Sequence, residues 1–79
     1  MKKYELTPKD GRKSFYGKAI VAIDDNGGET LYSYGTKIMT RDPAGQFVRY
    51  WDDWTATTGR HIKAFSDLNK AQYMALPLV

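Results

Sequence analysis

Apolar and polar positions follow one period through the first two thirds of the chain and another through the last third. Residues 18–23 (KAIVAI) are apolar on both faces, with Ala19, Val21 and Ile23 on one and Ile20 and Ala22 on the other, the pattern of a central strand. The run Asp24-Asp25-Asn26-Gly27-Gly28 then predicts a turn, because Asn-Gly and Gly-Gly adopt positive φ at little cost. Residues 29–34 (ETLYSY) predict a second strand, closed by Gly35 as a tight turn or bulge, and residues 36–41 (TKIMTR) a third. After the turn Asp42-Pro43-Ala44-Gly45, residues 46–51 (QFVRYW) set Phe47, Arg49 and Trp51 against Gln46, Val48 and Tyr50 as a fourth strand. Connections this short favour an antiparallel meander.

Beyond residue 55 the period changes. Thr57 or Thr58 is the expected N-cap, its hydroxyl accepting from an unpaired first-turn amide. Ile62, Phe65 and Leu68 recur every three residues and make one apolar stripe, and Lys63 with Asp67 forms an i,i+4 pair on the wet side. The pattern allows one helix over residues 58–76, or a stop near Asn69 and a short restart through Tyr73 and Leu76. Pro77 ends it either way. The expected fold is therefore α+β: an antiparallel β-meander of about four strands with one C-terminal helix packed on one face.

The charge layout adds a division. The 79 residues carry a formal net charge of +3. Residues 1–14 hold five basic and two acidic side chains, and residues 15–79 hold seven of each. This predicts a basic, flexible N-terminal leader at 1–14 and one neutral domain at 15–79. Lys2, Lys3, Lys9, Arg12 and Lys13 of the leader would supply loose attraction to nucleic acid. A positive net charge argues against acidic DNA mimicry. No apolar run reaches the ~18 residues of a membrane span, and no apolar stretch follows the basic start as a secretory signal requires, so the host cytoplasm is the expected compartment. The chain lacks cysteine, which removes disulfides and thiolate metal sites.

Three stretches carry a resemblance. Ser14-Phe15-Tyr16-Gly17-Lys18-Ala19, Ser33-Tyr34-Gly35-Thr36 and the segment from Trp54 to Phe65 (WTATTGRHIKAF) are similar in order to an uncharacterised family of short phage and mobile-element proteins with an SFYGKA…SYGT…TTxRHIxxF pattern. Gly59 departs from that pattern, in which a larger residue is usual. Glycine costs a helix interior ~1 kcal/mol relative to alanine, which puts the helix start in question. The resemblance implies a phage or mobile-element accessory protein and no chemistry.

Candidate chemistry is sparse. His61 is the sole histidine. With Ser33 or Ser66 and an aspartate it would make a triad, yet no G-x-S-x-G context exists, and the simpler expectation is a histidine at the helix edge bonded to the sheet or solvent. Asp52 and Asp53 are adjacent, so on a strand they would point to opposite faces and need not converge on a metal or act as an acid–base pair. Neither a P-loop nor a dinucleotide fingerprint is present, so no cofactor, metal site or catalytic residue is expected. Arg60 and Lys63 fall early in the helix, where cations meet the positive end of the macrodipole; Arg60 is expected to pair with Asp52 or Asp53, or to meet an acidic partner. Tyr32, Tyr34, Tyr50, Trp51 and Trp54, interleaved with Lys37, Arg41 and Arg49, would either build the core or stack bases.

The expectation from sequence is a non-enzymatic binding protein, foremost a small inhibitor of a bacterial defence complex of the anti-CRISPR type. Its partner would be a host protein or ribonucleoprotein complex, met through Arg60, Lys63, His61, Trp54, Tyr34 and Arg49. The alternative is a nucleic-acid-binding accessory of phage replication or transcription. A homodimer through an uncovered sheet face or edge strand is a further expectation.

Overall fold

The computed structural model describes residues 2–7 and 17–79. It contains a five-stranded antiparallel sheet in chain order: β1 (Lys2–Glu5), β2 (Ala19–Ile23), β3 (Glu29–Ser33), β4 (Thr36–Arg41) and β5 (Phe47–Arg49). Two helices follow, α1 (Ala56–Ser66) and α2 (Lys70–Met74). The α+β meander is as expected, with one strand and one helix more.

The extra strand follows from β2. β1 pairs with the free edge of β2, Tyr4 opposite Val21 and Glu5 opposite Ile20, and makes β2 the interior strand its two-faced apolar pattern predicts. The sheet therefore begins inside the stretch expected to be a leader. Lys9, Arg12 and Lys13 lie outside the described residues.

Three turns set the register. The β2–β3 and β4–β5 connections repeat one design. Asp24 N–H donates to the Gly28 carbonyl and Asp42 N–H to that of Gln46, each at 2.9 Å. The same two aspartates accept, through Oδ1, from the N–H of Gly28 and Gln46 at 2.8 Å. In each loop the residue before the closing pair, Gly27 or Gly45, has positive φ. The β3–β4 turn is a two-residue type I′ turn made by Tyr34 (φ 52) and Gly35 (φ 80), so Gly35 is a turn residue. The bulge lies opposite, between Leu31 and Tyr32, where β4 offers Ile38 as an extra residue. That bulge re-aims β4 so that consecutive residues, Ile38 and Met39, are both buried.

The core fills one face of the sheet. Ala19, Val21, Leu31, Ile38 and Met39 pack with Ile62 and Phe65 of α1 and Tyr73 of α2. Burying each large aliphatic side chain contributes roughly 1.5–3 kcal/mol. Arg41 bonds Glu29 across the β3–β4 ladder (Nε to Oε1, 2.9 Å) and sets its guanidinium 4.9 Å from the Phe65 ring centroid.

The helical third differs from expectation at its start and takes the second of the two courses left open at its end. The N-cap of α1 is Thr55, whose hydroxyl accepts from Thr58 N–H at 3.1 Å, and not Thr57 or Thr58. Capping lies two or three residues upstream of those positions, which sets Gly59 a full turn inside the helix: its amide donates to the Thr55 carbonyl at 2.7 Å. The helix ends where Asp67 turns left-handed (φ 66) and its N–H reaches back to Lys63. Asn69 then starts α2 with a complete capping box to Gln72, so residues 58–76 form two helices.

Gly59 explains itself in three dimensions. A Cβ there would stand 2.5 Å from the Trp54 indole. Trp54 in turn packs against Tyr73, with ring centroids 5.9 Å apart. An ordinary Gly→Ala change inside a helix gains about 1 kcal/mol. Here we expect Gly59→Ala to lose about 1–3 kcal/mol by overpacking, and to become stabilising in a Trp54→Leu background. Urea unfolding of the four chains of that cycle reads the sign reversal.

Candidate functional site

Two places bring polar and aromatic groups together, one at each end of β3. The first begins with Ser33, the last residue of β3, which faces α1. Its Oγ lies 2.7 Å from His61 Nδ1 and 3.0 Å from Thr58 Oγ1. His61 and Ser33 are each 2% exposed and Thr58 is buried. Hydroxyls both donate and accept, so hydrogen bonds run through this trio in either direction. Burial, and then the Arg60 charge beside it, holds the His61 imidazole below its ordinary value of 6.5.

Over this network sits Tyr34. Its ring centroid is 5.9 Å from that of His61, and Lys18 Nζ is 5.9 Å from the Tyr34 ring. Tyr34 is nevertheless 59% exposed. Positive φ is costly for a bulky side chain, of order 1–3 kcal/mol, and a type I′ turn would take Asn or Gly there more easily. Arg60 and Lys63 lie on the exposed stripe of α1.

The second place is a shallow groove of about 330 Å³ at the other end of the sheet, lined by Asp24, Glu29, Asp42, Lys37, Arg41 and Tyr50 among others. It adjoins the sheet face opposite the helices. Register puts Tyr32 beside Lys37 on that face, and Lys37 Nζ lies 4.0 Å from the Tyr50 ring centroid. Tyr32, Lys37 and Tyr50 thus make one aromatic–cation–aromatic row. Its charges are mixed, with three carboxylates against two cations in the lining named above.

The residues expected at a partner surface divide. Tyr34, Arg60 and Lys63 are exposed. His61 is interior, which corrects its place on a contact surface: the Ser33 hydroxyl draws it inward. Trp54 is half-buried on Gly59 and Tyr73. The Arg49 side chain, 12% exposed, donates to the Leu76 carbonyl at 2.9 Å and to Asp52 at 2.5 Å. Asp52 is thereby engaged by Arg49, and Asp53 Oδ1 accepts from its neighbour's amide, Trp54 N–H, at 2.7 Å. Lys2 and Lys3 are exposed on β1.

Sequence reasoning missed the role of Tyr73. It is fully buried, and its hydroxyl donates to the carbonyls of Trp51 (2.6 Å) and Ile38 (3.2 Å), tying the loop after β5 to the bulge. Burial pushes its phenol up to about 12. Only its place one short helix after an apolar stripe hinted at this. Lys18 was not singled out as a neighbour of Tyr34, nor Thr58 as a partner of Ser33, because the first contact closes the β2–β3 hairpin and the second crosses from strand to helix.

Among the described residues no group of three or more His, Asp or Glu side chains could hold a metal ion. No described helix is long and apolar enough to cross a membrane. Residues 4–75 match a family of unknown function, DUF8033, and the chain belongs to that family. No curated protein and no solved structure matches it.

The histidine network has a measurable consequence. The folded-state pKa of His61 lies below the unfolded value, so between the two the unfolded chain holds more protons and stability rises with pH. The contribution is complete above the unfolded value of 6.5 and is lost as pH falls through the folded value. Thermal melts by circular dichroism should show Tm falling from pH 7.5 to pH 5.5 as ordered here, with His61→Gln lower at the upper pH and flatter across the range.

Proposed function

We propose that this protein is a non-enzymatic binding protein of a phage or mobile element, acting in the host cytoplasm as a small inhibitor that occupies a bacterial defence complex. The observation that carries the binding reading is Tyr34: an exposed tyrosine held in left-handed backbone at a turn that glycine or asparagine would form more cheaply. Backbone strain of that kind persists where a side chain is needed in a set place. Lys18 beside the ring and the exposed cations of α1 suit an acidic partner surface, with the tyrosine as anchor. The Ser33–His61 contact has a nucleophile–base distance, but both groups are sealed from solvent, which supports a structural role. The defence complex comes from the resemblance to phage and mobile-element proteins.

The test separates binding from folding. Tyr34→Asn relieves the turn, so Tm should hold or rise by up to the equivalent of about 1 kcal/mol, while binding is lost. Phage plating efficiency on hosts carrying single, defined defence systems, with the chain supplied in trans, reads the activity. Protection by the native chain and none by Tyr34→Asn is the expected result. Absence of protection against every system tried overturns the inhibitor reading, and full protection by Tyr34→Asn overturns the surface.

A second reading is favoured by the row Tyr32–Lys37–Tyr50: single-stranded nucleic acid laid across the open sheet face, its bases stacked on the tyrosines. It predicts that affinity for a fluorescent oligonucleotide falls steeply with salt. Tyr32→Ala and Tyr50→Ala should each cost about 1–3 kcal/mol of binding. A flat salt titration removes this reading.

A further inference from the structure

The sheet has two edges, and they are treated differently. Beyond β5 the C-terminal segment runs alongside: Arg49 N–H donates to the Pro77 carbonyl at 2.9 Å, and Val79 N–H donates to the Arg49 carbonyl at 3.0 Å. That edge is covered. At the other edge all four residues of β1 are exposed, with Tyr4 at 42%. No described strand pairs with the outer side of β1.

The ladder tells which main-chain groups of β1 point outward. Leu6 N–H donates to the Ala19 carbonyl at 2.9 Å, so Leu6 and Ala19 form a hydrogen-bonded pair. Such pairs alternate along an antiparallel ladder. Tyr4–Val21 and Lys2–Ile23 are therefore hydrogen-bonded pairs as well, and the N–H and C=O groups of Lys3 and Glu5 point away from β2.

We propose that β1 pairs antiparallel with β1 of a second copy of this chain, about a two-fold axis through Tyr4, to give a continuous ten-stranded sheet. The register is set by the outward groups. Lys3 faces Glu5 of the partner subunit and Glu5 faces the partner's Lys3, each as a hydrogen-bonded pair, which gives four main-chain hydrogen bonds. Residues directly opposite share a face of the sheet, so each pairing also sets an ammonium against a carboxylate. Tyr4 meets the partner's Tyr4 across the axis on the helix side, at the closer non-hydrogen-bonded spacing that favours aromatic pairs. Shifting the axis to Lys3 would oppose like charges, so the edge is complementary to itself in this one register. The interface is isologous and closes at two subunits.

Sedimentation equilibrium of the full chain over a wide concentration range tests this. The expected mass rises from 9.0 kDa toward twice that value. Lys3→Pro removes an outward N–H and the ammonium beside it, at a place where an edge strand accepts proline, so the monomer's own ladder and its circular dichroism melt should be kept while association is lost. Lys3→Glu should weaken association by roughly tenfold, because two repulsive pairs replace two attractive ones, and mixing it with a Glu5→Lys chain should restore a heterodimer. A chain that stays monomeric throughout, its edge lysines serving only to ward off pairing, overturns the proposal. So does a dimer that Lys3→Pro and Lys3→Glu leave unchanged. The Tyr34 surface lies on another part of the molecule and stands or falls separately.

Discussion

The seat of Trp54 on Gly59 decides how the helical layer meets the sheet. A side chain at position 59 would hold the indole off the helix, and the indole in turn backs Tyr73. Tyr73 then spends its hydroxyl on the carbonyls of Trp51 and Ile38, one in the loop that leads to α1 and one at the β4 bulge. A glycine, an indole and a phenol thus fix the loop, the bulge and both helices relative to one another. In a domain this small few other contacts can take over if one fails.

The same packing takes the polar groups of the interior out of contact with solvent. Ser33, Thr58 and His61 satisfy one another across the sheet–helix boundary, where an apolar contact would leave register along α1 less defined. Tyr34 closes this network from outside while exposing most of its own surface. Fold and proposed function share that residue, because the strained turn that presents the ring also places it against His61.

Much of the sheet was legible locally. The two-faced apolar run at β2, the alternation of Phe47, Arg49 and Trp51, and the turn chemistry at residues 24–28 and 42–45 are short-range signals, and short hairpins translate them directly into neighbouring strands. β1 was not legible. Lys2-Lys3-Tyr4-Glu5 has the composition of a tail, and only the unfilled side of β2 makes it a strand. The break between α1 and α2 was half legible: Asn69 and Gln72 spell a capping box, but the left-handed turn at Asp67 carries no glycine to announce it.

The candidate site divides along the same line. Sequence alone marked Tyr34, Arg60 and Lys63, and all three are exposed, but Lys63, expected early in the helix, falls in the last turn of α1. It did not determine which polar residues would turn inward. His61 was drawn from the surface by a serine twenty-eight residues away, and Gly59, a defect by helix propensity, became the floor for an indole. Such choices depend on contacts between distant segments, and only the packed chain brings those segments within reach of each other.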